Sequence, residues 1–310
     1  MKNFALIGAA GFIAERHMRA IKETGNQITA ATDQFDVMGR MDSFFPEAEF
    51  FLDFQKFEEY LSEHQFDFTS VCSPNYLHAA HIQSALHAGT DAICEKPLVL
   101  FPDELEAVEK AMEQSGKQVF NILQLRLHET IIALREKIKS GPKDKIYDID
   151  LTYITSRGKW YYESWKGDKN RSGGVATNIG IHFFDMLSWI FGEVENSIVH
   201  AYDDNKAAGF LQLKQARVRW YLSLDYNDIP TNVKLKGMRT YRSILVEGDE
   251  IEFSEGFTNL HTISYQHILN GKGFRAEVAK PCIILTHQIR NAKPIGLKGD
   301  YHPLLKESIS

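Results

Sequence analysis

The sequence predicts an α/β chain in which a doubly wound parallel sheet is followed by an α+β domain with a largely antiparallel, open sheet. Three observations predict it. Short apolar runs alternate with helical stretches of roughly 10–15 residues through the first third of the chain. A glycine-bearing turn follows the first run directly. From "DIDLTYIT" (148–155) onward, apolar residues instead recur at every second position between turn residues. The change of period divides the chain into residues 1–122 and 123–310.

"FALIG" (4–8) is the first strand and "AERHMRAIKETG" (14–25) the helix after it, with Gly25 as its stop. The same alternation continues through "ITAATD", "AEFFLD", the helical "FQKFEEYLSEH", "FTSVCSP", the helical "AAHIQSALHAG", "DAICEKP", the helical "PDELEAVEKAMEQSG" and "QVFNIL". Crossovers of this kind are right-handed and leave the strands parallel with helices on both faces. Ligands of such sheets gather at the carboxyl ends of the strands, so the positions just past each run matter most: 8–14, 33, 73–78 and 95–97. Further on, "SIVHAYD", "ARVRWYLSLDYN" and "RSILVEGDEIEFSEG" are strands, while "HTISYQHILNGKG" and "AEVAKPCIILTHQIRNA" are helical. Pro281 in the last of these demands a first-turn position or a kink.

Composition excludes several function classes. Charged residues make up 25% and apolar residues 44% of the 310, as in ordinary soluble domains, and the net charge of −6 offers no broad basic surface for nucleic acid or anionic lipid. No apolar run approaches the roughly 20 residues that span a bilayer. The opening "ALIGAAGFIAERH" begins like a secretion signal, but Gly8 and Gly11 break the run, and Glu15, Arg16 and His17 stand where small cleavage-site residues belong. Cys72, Cys94 and Cys282 have no metal-ligand spacing and suit buried core positions in a reducing cytoplasm. A cytoplasmic location is therefore expected, with no metal site.

The opening stretch instead fits the first turn of a Rossmann nucleotide-binding sheet. Against G-x-G-x-x-G, Ala10 and Ile13 replace the second and third glycines; read as G-x-x-G-x-x-A it fits Gly8, Gly11 and Ala14. Asp33 ends the second strand, 22 residues past Gly11, where a carboxylate accepts the adenosine ribose hydroxyls and repels a 2′-phosphate. The expected cofactor is thus NAD rather than NADP.

Two further stretches carry chemistry. Lys96 follows a buried strand and, partly desolvated near a cationic nicotinamide, can hydrogen-bond or deprotonate a substrate hydroxyl; an exposed turn lysine beside Pro97 is the plainer reading. In 164–192, Thr177 is a candidate N-cap, and Asn178, His182 and Asp185 fall on one helix stripe. His182 can accept a proton from an alcohol as hydride leaves, or it can be a core histidine satisfied by Asp185 or a carbonyl. Between Ser156 and Gly174, five basic residues (Arg157, Lys159, Lys166, Lys169, Arg171) oppose two acidic ones, with Trp160, Tyr161 and Tyr162 interleaved. Such a segment suits an anionic ligand with a ring face, as does Arg126 after the "FNIL" strand; a solvated surface loop is the alternative.

"GAAGFIAERH", "CSPNYLHAAH", "CEKPL", "SWKGD" and "SGGVATNIGIHFFD" resemble, in order and spacing, the glucose-fructose oxidoreductase and inositol dehydrogenase family (Gfo/Idh/MocA). The resemblance implies Lys96 and His182 as the catalytic pair. It implies Gly8, Ala10, Gly11, Phe12, Ile13, Asp33, Ser73, Asn75, His78, Glu95, Lys96 and Trp165 around NAD. For the substrate it implies Gln124, Arg126, Arg157, Lys159, Tyr161, Asn178 and His182. Three positions depart from the family pattern: Lys166 stands for arginine, Ser172 for the first glycine, and Asn178 for an aspartate, which removes one carboxylate as a possible base. "NILQLRLH", "DLTYITSRGKWYYESWKGD" and "SEGFTNLHTISYQHIL" resemble the subgroup that dehydrogenates UDP-N-acetylglucosaminuronate at C3 in surface-polysaccharide (lipopolysaccharide, O-antigen) synthesis. Some members of that subgroup return the hydride to 2-oxoglutarate.

Other readings stay open. Tyr162-x-x-x-Lys166 matches the catalytic pair of short-chain dehydrogenases, provided both lie on one helix. A dinucleotide-sensing binding protein has the same fold without turnover, and another cyclic polyol is an alternative substrate. An open sheet with one uncovered face, together with the resemblance, predicts a homo-oligomer, a dimer or a tetramer.

Overall fold

Strands of a parallel sheet are covered on both faces and so need apolar side chains at successive positions. The runs that fill the inner strands meet that need, and the edge strand Glu49–Phe51 is only partly covered. In the computed structural model, which describes residues 1–36, 38–251 and 256–309, the six runs of the first third form β1 (Asn3–Ile7), β2 (Gln27–Thr32), β3 (Glu49–Phe51), β4 (Phe68–Val71), β5 (Asp91–Cys94) and β6 (Val119–Asn121). The order is β3-β2-β1-β4-β5-β6, all parallel, with the switch point between β1 and β4. The helix Ala14–Glu23 buries Ala14, His17, Met18 and Ile21, a single stripe at helical spacing, and stops as expected before Gly25 at φ +74°.

Two compact units are present: Met1–Leu127 with Thr258–Ile283, and His128–Phe257 with Ile284–Ser310. The expected boundary at 122/123 thus falls five residues early, and it misses a return. The helix Leu260–Leu269 belongs to the first unit, where Tyr265 and Ile268 join the core of Phe4, Leu6, Met18, Ile21 and Ile93. A linear reading cannot show this, because the helix pattern is the same whichever core receives it.

The second unit carries β7 (Tyr147–Thr155), β8 (Val194–Tyr202), β9 (Lys206–Leu213), β10 (Ala216–Ser223), β11 (Thr240–Val246) and β12 (Asp249–Glu250), ordered β12-β11-β7-β10-β9-β8. All its pairings are antiparallel except β7 with β10. One face carries Trp220, whose ring meets Phe184 of the helix Ile181–Phe191 edge-on at 5.2 Å. On the other, Ile154, Ala208, Tyr221, Ile229, Val233 and Leu305 form a cluster, and outward-facing Arg217 and Arg219 pair with Asp148 and Asp150. Residues 252–255 of the strand "RSILVEGDEIEFSEG" lie outside the described residues.

One local expectation is corrected and one narrowed. Thr177 is not an N-cap, since 174–175 are already helical and Ala176–Gly180 form a π turn that runs straight into Ile181–Phe191. Pro281 sits in the second turn of the helix Ala276–Asn291, not the first.

Candidate functional site

The glycine turn is built by close approach. Gly8 has φ +86°, and a Cβ there would lie 2.6 Å from Ser73 N and 2.7 Å from Cys72 C, so only glycine lets β1's end pack against β4's. The Gly8 and Ala9 N–H groups donate to Thr32 O at 2.9 and 3.2 Å, and the Ala10 N–H donates to Asp33 Oδ2 at 2.8 Å. Arg40, which sequence reasoning missed, places one guanidinium nitrogen 3.2 Å from the carbonyl oxygens of Ala9, Ala10 and Gly11. One cation thus gathers three consecutive carbonyls of the turn. Phe12 is 81% exposed at the tip, while Ile13 packs toward the core and Ala14 is buried.

Beside Asp33, whose N–H donates to Phe51 O at 3.2 Å, a cleft of about 390 Å³ is lined by Asp36, Phe50, Phe51, Leu52, Asp53 and Lys56. It lies on the β3 side of the sheet, where the adenosine end of a dinucleotide falls, and not beside Lys96.

The turns after β4 and β5 are stapled together by buried histidines. His78 Nδ1 lies 2.7 Å from Pro97 O and Nε2 lies 2.9 Å from Ser73 O, while His81 Nδ1 pairs with Ser73 Oγ at 2.7 Å. Ser73 and His78 therefore shape the crevice from behind. Burial lowers the pKa of His78, and that of His81 falls to about 4 through burial and then the neighbouring His78. Asn75 opens a short 3₁₀ turn and is buried.

Lys96 is half-buried and joined to Pro97 by a cis peptide bond. The turn beneath it has a partner for each of four polar groups. Glu95 N–H donates to Val71 O (3.1 Å), Asn121 Nδ2 donates to Glu95 O (3.2 Å) and Lys96 N–H to Glu95 Oε2 (3.2 Å), while Pro97 O faces His78. The Glu95 carboxylate, expected against the cofactor, points inward instead. Its Oε1 accepts from His17 Nε2 at 2.9 Å and from His261 Nε2 at 2.8 Å. Burial pushes its pKa up, but these two donors outweigh burial and hold it well below the usual carboxylate range. The three groups cluster as metal ligands do, yet both nitrogens sit at hydrogen-bonding distance from one oxygen, which leaves no room for an ion among them. Sequence reasoning missed His17 and His261. The signal was a histidine inside the apolar stripe of each helix.

At the end of β6, Gln124 and Arg126 fall on a 3₁₀ turn, with the Arg126 guanidinium 5.4 Å from the Phe274 ring centre. Gly8, Ala10, Gly11, Asp33, Ser73, Lys96, Gln124 and Arg126 thus gather at the carboxyl ends of the strands of one unit.

The second unit gathers the rest. Tyr161 is buried on the helix Lys159–Glu163, and its hydroxyl accepts from Asn178 Nδ2 at 2.9 Å. Burial raises its pKa. The Arg157 guanidinium lies 5.7 Å from the Tyr161 ring, and Lys166 Nζ lies 5.4 and 5.6 Å from the Trp160 and Trp165 rings. Burial, then repulsion from Arg157, lowers the Lys166 pKa, while Lys159 stays exposed. His182 is half-buried, edge-on to Phe183 at 4.7 Å and 6.5 Å from the Tyr153 ring. Tyr162 lies on the helix that ends at Glu163 and Lys166 lies beyond it, so this pair does not have the one-helix geometry of short-chain dehydrogenases.

Residues 2–122 match the Gfo/Idh/MocA oxidoreductase family's NAD-binding Rossmann fold, and residues 135–283 match its C-terminal α/β domain. The chain belongs to this family. Its structure is similar to that of the WlbA (WbpB) dehydrogenase of Thermus thermophilus, with TM-score 0.94 and 45% identity over 98% of this chain and 99% of that one; that protein has been crystallised with NAD and alpha-ketoglutarate and with NAD and UDP-GlcNAcA. The D-glucoside 3-dehydrogenase of Escherichia coli is 28% identical over 140 residues, covering 45% of this chain and 40% of that enzyme. Inositol 2-dehydrogenase of Rhizobium meliloti is 29% identical over 133 residues, 43% and 38% of the two chains. The chain spans less than half the length of the curated relatives it matches. Among the described residues, no helix is long and apolar enough to cross a membrane.

Proposed function

We propose that this member of the family is an NAD-dependent dehydrogenase that oxidises the C3 hydroxyl of UDP-N-acetylglucosaminuronate to the 3-keto sugar, in surface-polysaccharide synthesis. The observation that carries the reading is the end-to-end likeness, at 45% identity, to an enzyme crystallised with NAD and that sugar nucleotide. The same protein bound to alpha-ketoglutarate supports 2-oxoglutarate as the acceptor that recycles the reduced cofactor.

The glycine turn fits the dinucleotide. Its Gly8 cradle would be filled by a Cβ, its carbonyls are drawn to Arg40, and Asp33 ends β2 with a carboxylate suited to ribose hydroxyls. NAD, when bound, supplies the hydride acceptor. The chain's own residues bind, orient and move the proton. Lys96 and His182 are the candidates to take the C3 hydroxyl proton, Lys96 from a turn held by buried partners. Arg157, Lys159 and Arg126 are suited to the diphosphate and carboxylate, Trp165 to a ring face, and Gln124, Tyr161 and Asn178 to polar groups of the sugar. The Arg217–Asp148 and Arg219–Asp150 pairs, exposed beside the covered part of that sheet face, support self-association as a dimer or tetramer. Widely spaced buried cysteines support a reducing, cytoplasmic setting.

The test is NADH absorbance on mixing purified protein, NAD and UDP-N-acetylglucosaminuronate, with and without 2-oxoglutarate, for the wild type and Lys96→Met. Reduction that Lys96→Met abolishes, with NAD binding kept, is the expected result. No reduction in the wild type despite NAD binding would move the substrate to another cyclic polyol, or the protein to a sensor of dinucleotides.

A further inference from the structure

The buried partners of Glu95 have a single consistent direction. Burial lowers the His17 pKa despite the opposing bond from Glu95, so the ring is neutral and carries one proton. That proton sits on Nε2, which faces the carboxylate; Nδ1 is then an acceptor and takes the Tyr265 O–H at 2.7 Å, and Tyr265 Oη takes the Ser70 O–H at 2.7 Å. The chain runs Ser70 to Tyr265 to His17 to Glu95. His261 closes it from the other side with its own Nε2–H, while its Nδ1 is buried and has no hydrogen-bond partner among the described residues. A buried nitrogen left without a partner costs stability, so packing alone gives no reason for a histidine at 261. Its service to Glu95 does. The far oxygen of that carboxylate holds the Lys96 N–H.

We propose that His17 and His261 are positioning residues for Lys96: by jointly donating to Glu95 Oε1 they fix Glu95 Oε2 under the Lys96 amide, and so fix the root of the lysine side chain. The proposal rests on Lys96 being the group that acts on the substrate hydroxyl. Without the imidazole donors, Glu95 is a buried carboxylate that must protonate or turn away, and either change releases the Lys96 amide. Asn121 still holds the Glu95 carbonyl, so the loss is one of placement rather than of fold. Displacements near 1 Å at a reacting group lower rates by about 100-fold.

The experiment uses full-length protein with NAD, UDP-N-acetylglucosaminuronate and 2-oxoglutarate, and compares Lys96→Met, His261→Leu, His261→Gln and Glu95→Gln. For His261→Leu the expected outcome is a fall in kcat of roughly 10- to 100-fold, with KM and the NAD Kd changed by less than about threefold. His261→Gln, which restores an N–H donor, recovers most of that fall. Glu95→Gln is isosteric and keeps the packing, but its amide must face either the Lys96 N–H or the imidazoles with the wrong polarity; it too lowers kcat at constant KM. If Lys96→Met is inactive while Glu95→Gln and any folded His261→Leu stay within twofold of wild-type kcat, the positioning role is overturned. A loss that Gln at 261 does not recover, with KM rising and NAD affinity falling in parallel, shows a structural role and overturns it equally. An active Lys96→Met removes the catalytic reading itself and this proposal with it.

Discussion

Replacing Asn178 by the aspartate usual in the family should impair this chain. Asn178 Nδ2 donates to the Tyr161 hydroxyl at 2.9 Å, which occupies a lone pair and, on the substrate role proposed for Tyr161, leaves its O–H to donate to a substrate oxygen. An aspartate has no donor. In Asn178→Asp the carboxylate takes the Tyr161 O–H, and a hydrogen bond to a charged group is worth about 1.5–3 kcal/mol. Substrate must break that bond to reach Tyr161, so KM for the sugar nucleotide rises roughly 10- to 150-fold, given that about 1.4 kcal/mol is a factor of ten. A new negative charge beside a bound anion acts in the same direction, whereas kcat at saturation changes little. The assay is initial-rate kinetics of wild type, Asn178→Asp, Tyr161→Phe and the double variant. In the Tyr161→Phe background, which has no O–H to capture, the aspartate should cost much less. A KM within twofold of wild type for Asn178→Asp, or an equal effect with and without the tyrosine hydroxyl, would refute the argument.

Three further outcomes follow from geometry already described. Gly8→Ala combines a left-handed φ, about 1–2 kcal/mol, with overpacking against Ser73 and Cys72 backbone, about 1–3 kcal/mol; it should weaken NAD binding in calorimetry by at least tenfold, and unchanged affinity would contradict the close-approach account. Gly209→Ala would press a methyl onto Ile198 O and the Trp220 indole, so a loss of about 1–3 kcal/mol is expected, read as a lowered urea midpoint of the second unit. His81 and His302 have folded pKa values lowered to about 4, so the unfolded chain binds protons more readily between pH 6.5 and 4. Their stabilisation is whole above pH 6.5 and is lost as pH falls toward 4, on the order of 3 kcal/mol for each. Urea midpoints that rise on acidification, or a pH slope that His302→Gln leaves unaltered, would contradict it.

Much of the first unit is legible because parallel strands write themselves as unbroken apolar runs and their ends carry the ligand groups. Gly8, Asp33 and Lys96 were visible by position alone. The strand β9 was not, since Gly209 in "KAAGFLQL" has the look of a turn; the glycine is there because Ile198 and Trp220 leave space for nothing larger. Glu95 was legible as important and misplaced in orientation, because its partners come from helices far away in sequence. His17 and Tyr265 are 248 residues apart. Likewise the π turn that carries Asn178 and runs into the helix of His182 and Asp185 leaves no pattern in side-chain hydrophobicity.

That long-range pairing changes what it means to cut the chain in two. Every partner of Glu95 lies in the first unit, but one, His261, and the Tyr265 that supports His17 arrive on the segment Thr258–Ile283. A cofactor-binding fragment ended at Leu127 would keep all six strands, the glycine turn and Asp33, and so would still have every feature by which such domains are recognised. It would also strand an anion beneath Lys96 with one donor gone and the other unsupported. Transplanting this half onto a different partner domain therefore requires carrying the later helix along with it, as a second graft that both completes the core and, on the proposed role of Glu95, keeps one lysine in register.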